Sequence, residues 1–290
     1  METEEKHKEQ DHFSEETGKM ISNTQIHWGK SKEEVWTELE KKIGTIPSAG
    51  KFIFFKPWIK VALAAGVALL IGISALVSFY TKTINVPSGQ HTEVILPDNS
   101  RINLNAQSTI SYKPLLWKFT RAVKLEGEAY FDVMKGKQFE VISGRRKTIV
   151  LGTTFNIYYR NSDFQVTCIS GKVKISGISG NKDVILNPGQ QALVNTEGTL
   201  VVQSDIDTDQ TMSWLNNKLS FTSAPLRKVF EEIGRQYGVL INIPENLEYI
   251  YTGTFIKEGS VENVLNLVCR PFDLVITRKA DNEYIITRNK

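Results

Sequence analysis

From Val61 to Phe79 the sequence reads VALAAGVALLIGISALVSF, without one charged residue. At 1.5 Å of rise per residue, a helix over this stretch is about 28 Å long, close to the hydrocarbon thickness of a bilayer. The stretch predicts a single membrane span over residues 58–80, with Trp58 and Tyr80 where amphipathic rings favour the headgroup layers. It divides the chain into a short segment 1–57 and a much larger part beyond it. Lys41, Lys42, Lys51, Lys56 and Lys60 precede the span, whereas only Lys82 follows it closely and Arg101 is the next basic residue. That asymmetry predicts a cytosolic N-terminus and an extracytoplasmic remainder. The opening METEEKHKEQDHFSEETGKM has no apolar run, so the span is expected to stay as an anchor rather than be cleaved as a signal peptide. Ala62 and Gly66 form a small-xxx-small pair, a pattern too common in Ala- and Gly-rich spans to assign a dimer.

The 290 residues leave room for about two domains besides the span. A hydrophobic fraction of 41% and a charged fraction of 23% are those of globular chains. The net charge of +3, without a long basic run, argues against direct nucleic-acid binding. Two cysteines, Cys168 in VTCIS and Cys269 in NLVCR, lie in apolar surroundings on the side expected to be oxidising. A disulfide is conceivable there, but their places in different expected domains favour two buried thiols.

Before the span, HWGKSKEEVWTELEKKIG carries a capping box, Ser31 with Glu34, and apolar residues Val35, Trp36, Leu39 and Ile43 at helical spacing. One amphipathic helix from Lys32 to Lys42 is predicted, ended by Gly44. Such a segment is too small to bury Trp28 and Trp36 in a core of its own. It either rests on the membrane surface or folds against a cytosolic partner with the aromatic stripe as anchor.

Residues 84–203 alternate apolar and polar in INLNA, VKLEGEAYFDV and GKVKISG, with turn signals PDNS, GKQ, GRR and NPGQ between. An all-β sandwich, barrel or short solenoid is expected over 81–205. Glu126, Glu128 and Asp132 share one face of their strand, which is expected to be solvated rather than a glycosidase pair. Asp205, Asp207 and Asp209 mimic the start of a calcium loop, but Gln210 replaces the required glycine and Asn216 stands at the twelfth place, so a hydrated linker is expected. Beyond it, SAPLRKVFEEIGRQYG sets Leu226, Val229, Phe230, Ile233 and Tyr237 on one helical face. Strands VLINI and TGTFI, a helix from Ser260, and strands LVITR and EYIIT complete a small α+β domain over 206–290.

LPDNSRINLNAQSTISY, RAVKLEGEAYFDV, FEVISGRRKTIVLGTTFNI, GKVKISG and LNPGQQALV occur in the order and spacing of the FecR family of transmembrane anti-sigma factors, which this chain resembles. Asn99 stands where that family's turn commonly has glycine; asparagine tolerates the left-handed conformation, so the hairpin should survive. The C-terminal part is similar to the domain found in one branch of that family, and to the short domain at the N-termini of secretins and signalling TonB-dependent transducers. The resemblance implies a bacterial inner-membrane protein with its C-terminal domains in the periplasm. It implies two protein partners besides membrane lipid: an extracytoplasmic-function sigma factor in the cytosol and the signalling domain of an outer-membrane TonB-dependent transducer. The residues expected to grip the sigma factor are Trp28, Val35, Trp36 and Leu39.

Nothing in the sequence supplies a catalytic constellation, and no cofactor or metal is expected. His7, His12, His27 and His91 are scattered, and SGKVKISGISG lacks the phosphate-loop spacing. The alternative reading is a membrane-anchored periplasmic scaffold or glycan-binding protein whose N-terminal tail only aids insertion.

Overall fold

The computed structural model describes residues 29–44, 57–176, 183–195 and 197–289; Trp28 lies outside them. Helix α1 (Lys32–Ile43) begins as its capping box requires: Glu34 N donates to Ser31 Oγ at 3.2 Å, and Ser31 N donates to the Glu34 carboxylate at 3.0 Å. Gly44 caps its end in a right-handed conformation, donating its N–H to Glu40 O. Helix α2 (Pro57–Phe79) starts one turn ahead of the uncharged run, with proline in the first turn, where its missing N–H costs nothing. The window Val61–Phe79 is long and apolar enough to cross a membrane, and none of it is buried within the protein.

Strands β1 (Lys82–Val86), β2 (Thr92–Ile95), β3 (Arg101–Leu104), β4 (Ser108–Tyr112), β5 (Arg121–Asp132), β6 (Phe139–Ser143) and β7 (Arg146–Val150) follow. After them come β8 (Thr154–Arg160), β9 (Asp163–Ser170), β10 (Val173–Ser176), β11 (Val184–Leu186), β12 (Gln191–Val194) and β13 (Leu200–Gln203). They form two layers that share β5. Its first half pairs with β4 and, in parallel, with β6; its second half, from Gly127, pairs with β3 and β8. One layer then runs β1-β4-β5-β6-β7-β10-β11 and the other β2-β3-β5-β8-β9-β12-β13. Val123, Leu125, Ala129 and Phe131 of β5 join one continuous core with residues of both layers. There Phe131 stacks on Phe155 at 4.9 Å and meets Phe139 edge-on at 6.3 Å. A solenoid would stack parallel rungs; here every pairing but β5–β6 is antiparallel, and the domain is a sandwich. The β2–β3 turn places Asn99 at φ 65°, the left-handed conformation expected of it.

Asp207 caps a helical turn, Thr208–Thr211, by accepting from Asp209 N at 3.0 Å and Gln210 N at 3.1 Å, so one of the linker acids has a structural task. The α+β module comprises β14 (Lys218–Pro225), α3 (Leu226–Tyr237), β15 (Leu240–Asn242), β16 (Ile250–Ile256), α4 (Val261–Cys269), β17 (Leu274–Ala280) and β18 (Glu283–Arg288). Leu226, Val229, Phe230 and Ile233 of α3 and Val261, Val264, Leu265 and Val268 of α4 fill its core, and Gly238 ends α3 at φ 70°. β14 pairs with β16, while β18 lies between β15 and β17. EYIIT is therefore a central strand and exposes no edge, unlike TGTFI and LVITR. Cys168 and Cys269 are free and buried in the two separate cores, and burial pushes their thiols up to about 11 and about 12.

Candidate functional site

Helix α1 buries no residue. Val35 and Trp36 lie four and three residues before Leu39, and Ile43 four after it, so the four share one side of the helix on adjoining turns, and Trp36 is 65% exposed. The opposite chemistry is ordinary: Lys30 pairs with Glu38 at 2.6 Å, and acids in the first turn and lysines in the last complement the helix dipole. Three of the four sequence-predicted site residues thus share one uncovered apolar stripe on a well-capped helix. Trp28, the fourth, is outside the described residues.

A second site went unanticipated. The outward face of β5 is covered around Glu128 by α3, and this carboxylate is only 8% exposed. The expected solvated face therefore holds at the exposed Glu126 and Asp132 but fails at Glu128. Glu128 accepts from Asn105 Nδ2 at 2.7 Å and from Asn156 Nδ2 at 2.9 Å. The α3 side answers with Gln236, which donates to Asn105 Oδ1 at 2.6 Å and to Glu232 at 2.8 Å and meets His91 Nε2 at 2.9 Å. Arg235 pairs with Glu232 at 2.7 Å, and its carbonyl accepts from Gly89 N at 2.7 Å. Farther out, Lys228 reaches Asp163 at 2.6 Å and Lys257 donates to Gly89 O at 3.2 Å. Trp214 meets His91 edge-on at 5.4 Å. Beside these contacts, a cleft of about 620 Å³ runs between sandwich and module, with Glu128, Asn156, Trp214 and Glu232 in its wall. No cluster able to hold a metal ion occurs among the described residues.

Desolvation, reinforced by the nearby Glu232, raises the Glu128 carboxyl to about 7, against the hydrogen bonds from Asn156 and Asn105. Burial also disfavours charge on Glu232, but Arg235, Gln236 and Arg160 outweigh it and hold that group below the usual value. The negative charge of the joint thus sits on Glu232, and Glu128 stays largely protonated in mildly acidic solution. Burial lowers His91 below its ordinary 6.5, against its hydrogen bond to Gln236.

These shifts have opposite signs. Stability from Glu128 is complete below the ordinary carboxylate range and is lost as pH rises through about 7, whereas that from His91 is lost as pH falls through 6.5 and below. Above 6.5 the Glu128 contribution dominates. Hydrogen exchange of the α3 amides, corrected for intrinsic rate, is expected to quicken between about pH 6.5 and about pH 8. Glu128→Gln should flatten that rise; an unchanged pH profile in the variant would remove Glu128 from the account.

One signal in the sequence could have marked the joint. Gln236 stands at helical spacing from Ile233 on the apolar face of α3. Polar side chains on faces otherwise buried require partners. Which partners they find depends on contacts spanning some 130 residues of chain, as in the Gln236–Asn105 bond.

The FecR protein family model matches residues 82–174, the sandwich up to β10, and the FecR C-terminal model matches residues 218–286, the α+β module. Together they define a two-part architecture of sandwich followed by α+β module. The chain belongs to the FecR family. Two crystal structures of candidate anti-sigma factors from Parabacteroides distasonis are similar to it. One, at 2.50 Å resolution, is 28% identical with a TM-score of 0.66 and covers 73% of this chain and 100% of its own. The other, at 1.65 Å, is 27% identical with a TM-score of 0.65 and covers 72% of this chain and 100% of its own. No curated protein sequence matches this chain.

Proposed function

We propose that this FecR protein is a transmembrane anti-sigma factor. In this reading α2 crosses the bacterial inner membrane once, α1 stands in the cytosol and grips an extracytoplasmic-function sigma factor, and the sandwich and α+β module face the periplasm. The observation that carries it is the stripe of Val35, Trp36, Leu39 and Ile43, exposed on a helix whose caps are complete. An aromatic and aliphatic face of this kind is the usual anchor of a helix seated in a partner's groove. The lysine asymmetry about α2 supports the orientation, and the similarity to candidate anti-sigma factors supports the partner class. The periplasmic signal comes from the signalling domain of an outer-membrane TonB-dependent transducer, for which the free edges of β16 and β17 offer strand addition. The role is regulatory, and catalysis has no part in it.

The test is sigma-factor binding by the full chain in nanodiscs. Trp36→Ala and Leu39→Ala are each expected to cost about 2 kcal/mol, roughly thirtyfold in affinity, with α1 still helical because its caps are untouched. Wild-type affinity in the double variant would end the assignment of this face as the grip.

A further inference from the structure

Between β4 and β5 the chain reads KPLLWKFT, residues 113–120. This loop is firmly built. A 3-10 turn, Pro114–Leu116, opens it, and Phe119 N and Thr120 N both donate to Leu116 O at 2.9 Å. Trp117 pins it inward, 4% exposed and packed edge-on against Tyr112 at 5.5 Å and Phe139 at 5.9 Å. With the loop so held, Phe119 stands 83% exposed and Leu115 53% exposed, flanked by the exposed Lys113 and Lys118. Among the described residues outside the two N-terminal helices, no other large hydrophobic side chain is exposed as far as Phe119. Water gives no reason to hold an aromatic ring out on a rigid turn.

The position of the loop identifies what covers it. β4 pairs with β1 in the register Lys82↔Tyr112, so the residue before the loop lies opposite the strand residue nearest the end of α2. Lys113 Nζ donates to Ser78 O, in the last turn of α2, at 2.6 Å. The loop that displays Leu115 and Phe119 is thus tied through Lys113 to the last turn of the apolar helix, beside the exposed Phe79 and Tyr80. An apolar pair between lysines, at the level where a span leaves the hydrocarbon, has the composition of an interfacial anchor: rings and aliphatic groups enter the acyl boundary, and ammonium groups meet lipid phosphates.

We propose that residues 113–120 form a second membrane contact, a foot that seats Leu115 and Phe119 in the outer interface of the bilayer and fixes the sandwich against it. The proposal rests on α2 being a membrane span. Its occupant is lipid; a partner protein or a second copy of the chain on the same residues is the competing outcome.

The test uses the full chain in liposomes of phosphatidylethanolamine and phosphatidylglycerol. Because Cys168 and Cys269 are buried, a thiol-directed fluorophore will label an introduced cysteine selectively. Three single variants carry it: Phe119→Cys in the foot, Leu70→Cys within α2, and Asp281→Cys in the exposed β17–β18 turn. Lipids bearing a nitroxide near the headgroup end of the acyl chain should quench the probe at 119 roughly threefold more than the probe at 281. Quenching at 70 by a nitroxide deep in the chain reports the span independently. If 70 is quenched while 119 behaves like 281, the foot is overturned and the span stands; a probe at 119 that is shielded from aqueous iodide but not quenched by lipid assigns the residues to a protein contact and equally overturns it. If neither 70 nor 119 is quenched, the span and the foot both fall.

Discussion

Gly127→Ala is expected to destabilise the sandwich by about 3 kcal/mol, read from the urea midpoint of hydrogen exchange at the β5 amides in the detergent-solubilised chain. β5 passes from one layer to the other at this residue, with φ at +104°, a backbone conformation that L side chains rarely adopt. The space is equally restrictive, since a β-carbon there would come within 2.6 Å of Ser108 Cα. Ser108 is not free to withdraw, because its hydroxyl accepts from Glu128 N at 2.9 Å and its backbone pairs with Val86 of β1. Strain and collision therefore add. A variant with an unchanged midpoint would mean that β5 can turn between the layers by another route.

Arg121→Ala should cost a similar amount, about 3 kcal/mol, because it leaves a half-buried carboxylate without its partner. The Arg121 guanidinium donates to Asp98 through two nitrogens, with Nε at 2.7 Å, and to the carbonyls of Met134 and Lys137. It also lies 5.4 Å from the centre of the Phe139 ring, so one side chain ties the β2–β3 turn, the β5–β6 loop and the core together. Arg121→Lys keeps the charge but not the planar fork, and should recover little of the loss. Asp98 supplies a second readout. Burial acts to raise its carboxyl, yet bonds from Arg121 and Ser100 outweigh that and hold it below its ordinary 3.8. Its contribution is present above that value and is lost as pH falls below it. The alanine variant should show a weaker dependence of stability on pH in that acid range, and an unaltered acid limb would argue against the pair.

Features set by local pattern were legible in the sequence. The uncharged run became α2, Ser31 and Glu34 made the capping box, and the apolar spacing of SAPLRKVFEEIGRQYG became α3 with Gly238 at its end. Alternation located the strands, but it says nothing about which layer a strand joins, and a strand belonging to two layers leaves no mark except a glycine. The central place of EYIIT was hidden for the same reason: β15 reaches it in parallel from across the module, a pairing no hairpin signal announces. Glu128 shows the limit most clearly. Period-two alternation correctly turned it away from the sandwich core. Whether that outer side meets water is decided by α3, more than a hundred residues later.

The junction between α2 and β1 bears on how force could travel through such a molecule. Only Tyr80 and Thr81 separate Phe79 from Lys82, and neither is slack: Tyr80 N donates to Leu76 O at 3.0 Å, and Thr81 Oγ1 donates to Phe79 O at 3.3 Å. A helix joined to a paired strand in this way behaves as an axle fixed to its wheel. A tilt or twist imposed on the sandwich passes into the helix without being absorbed by a tether.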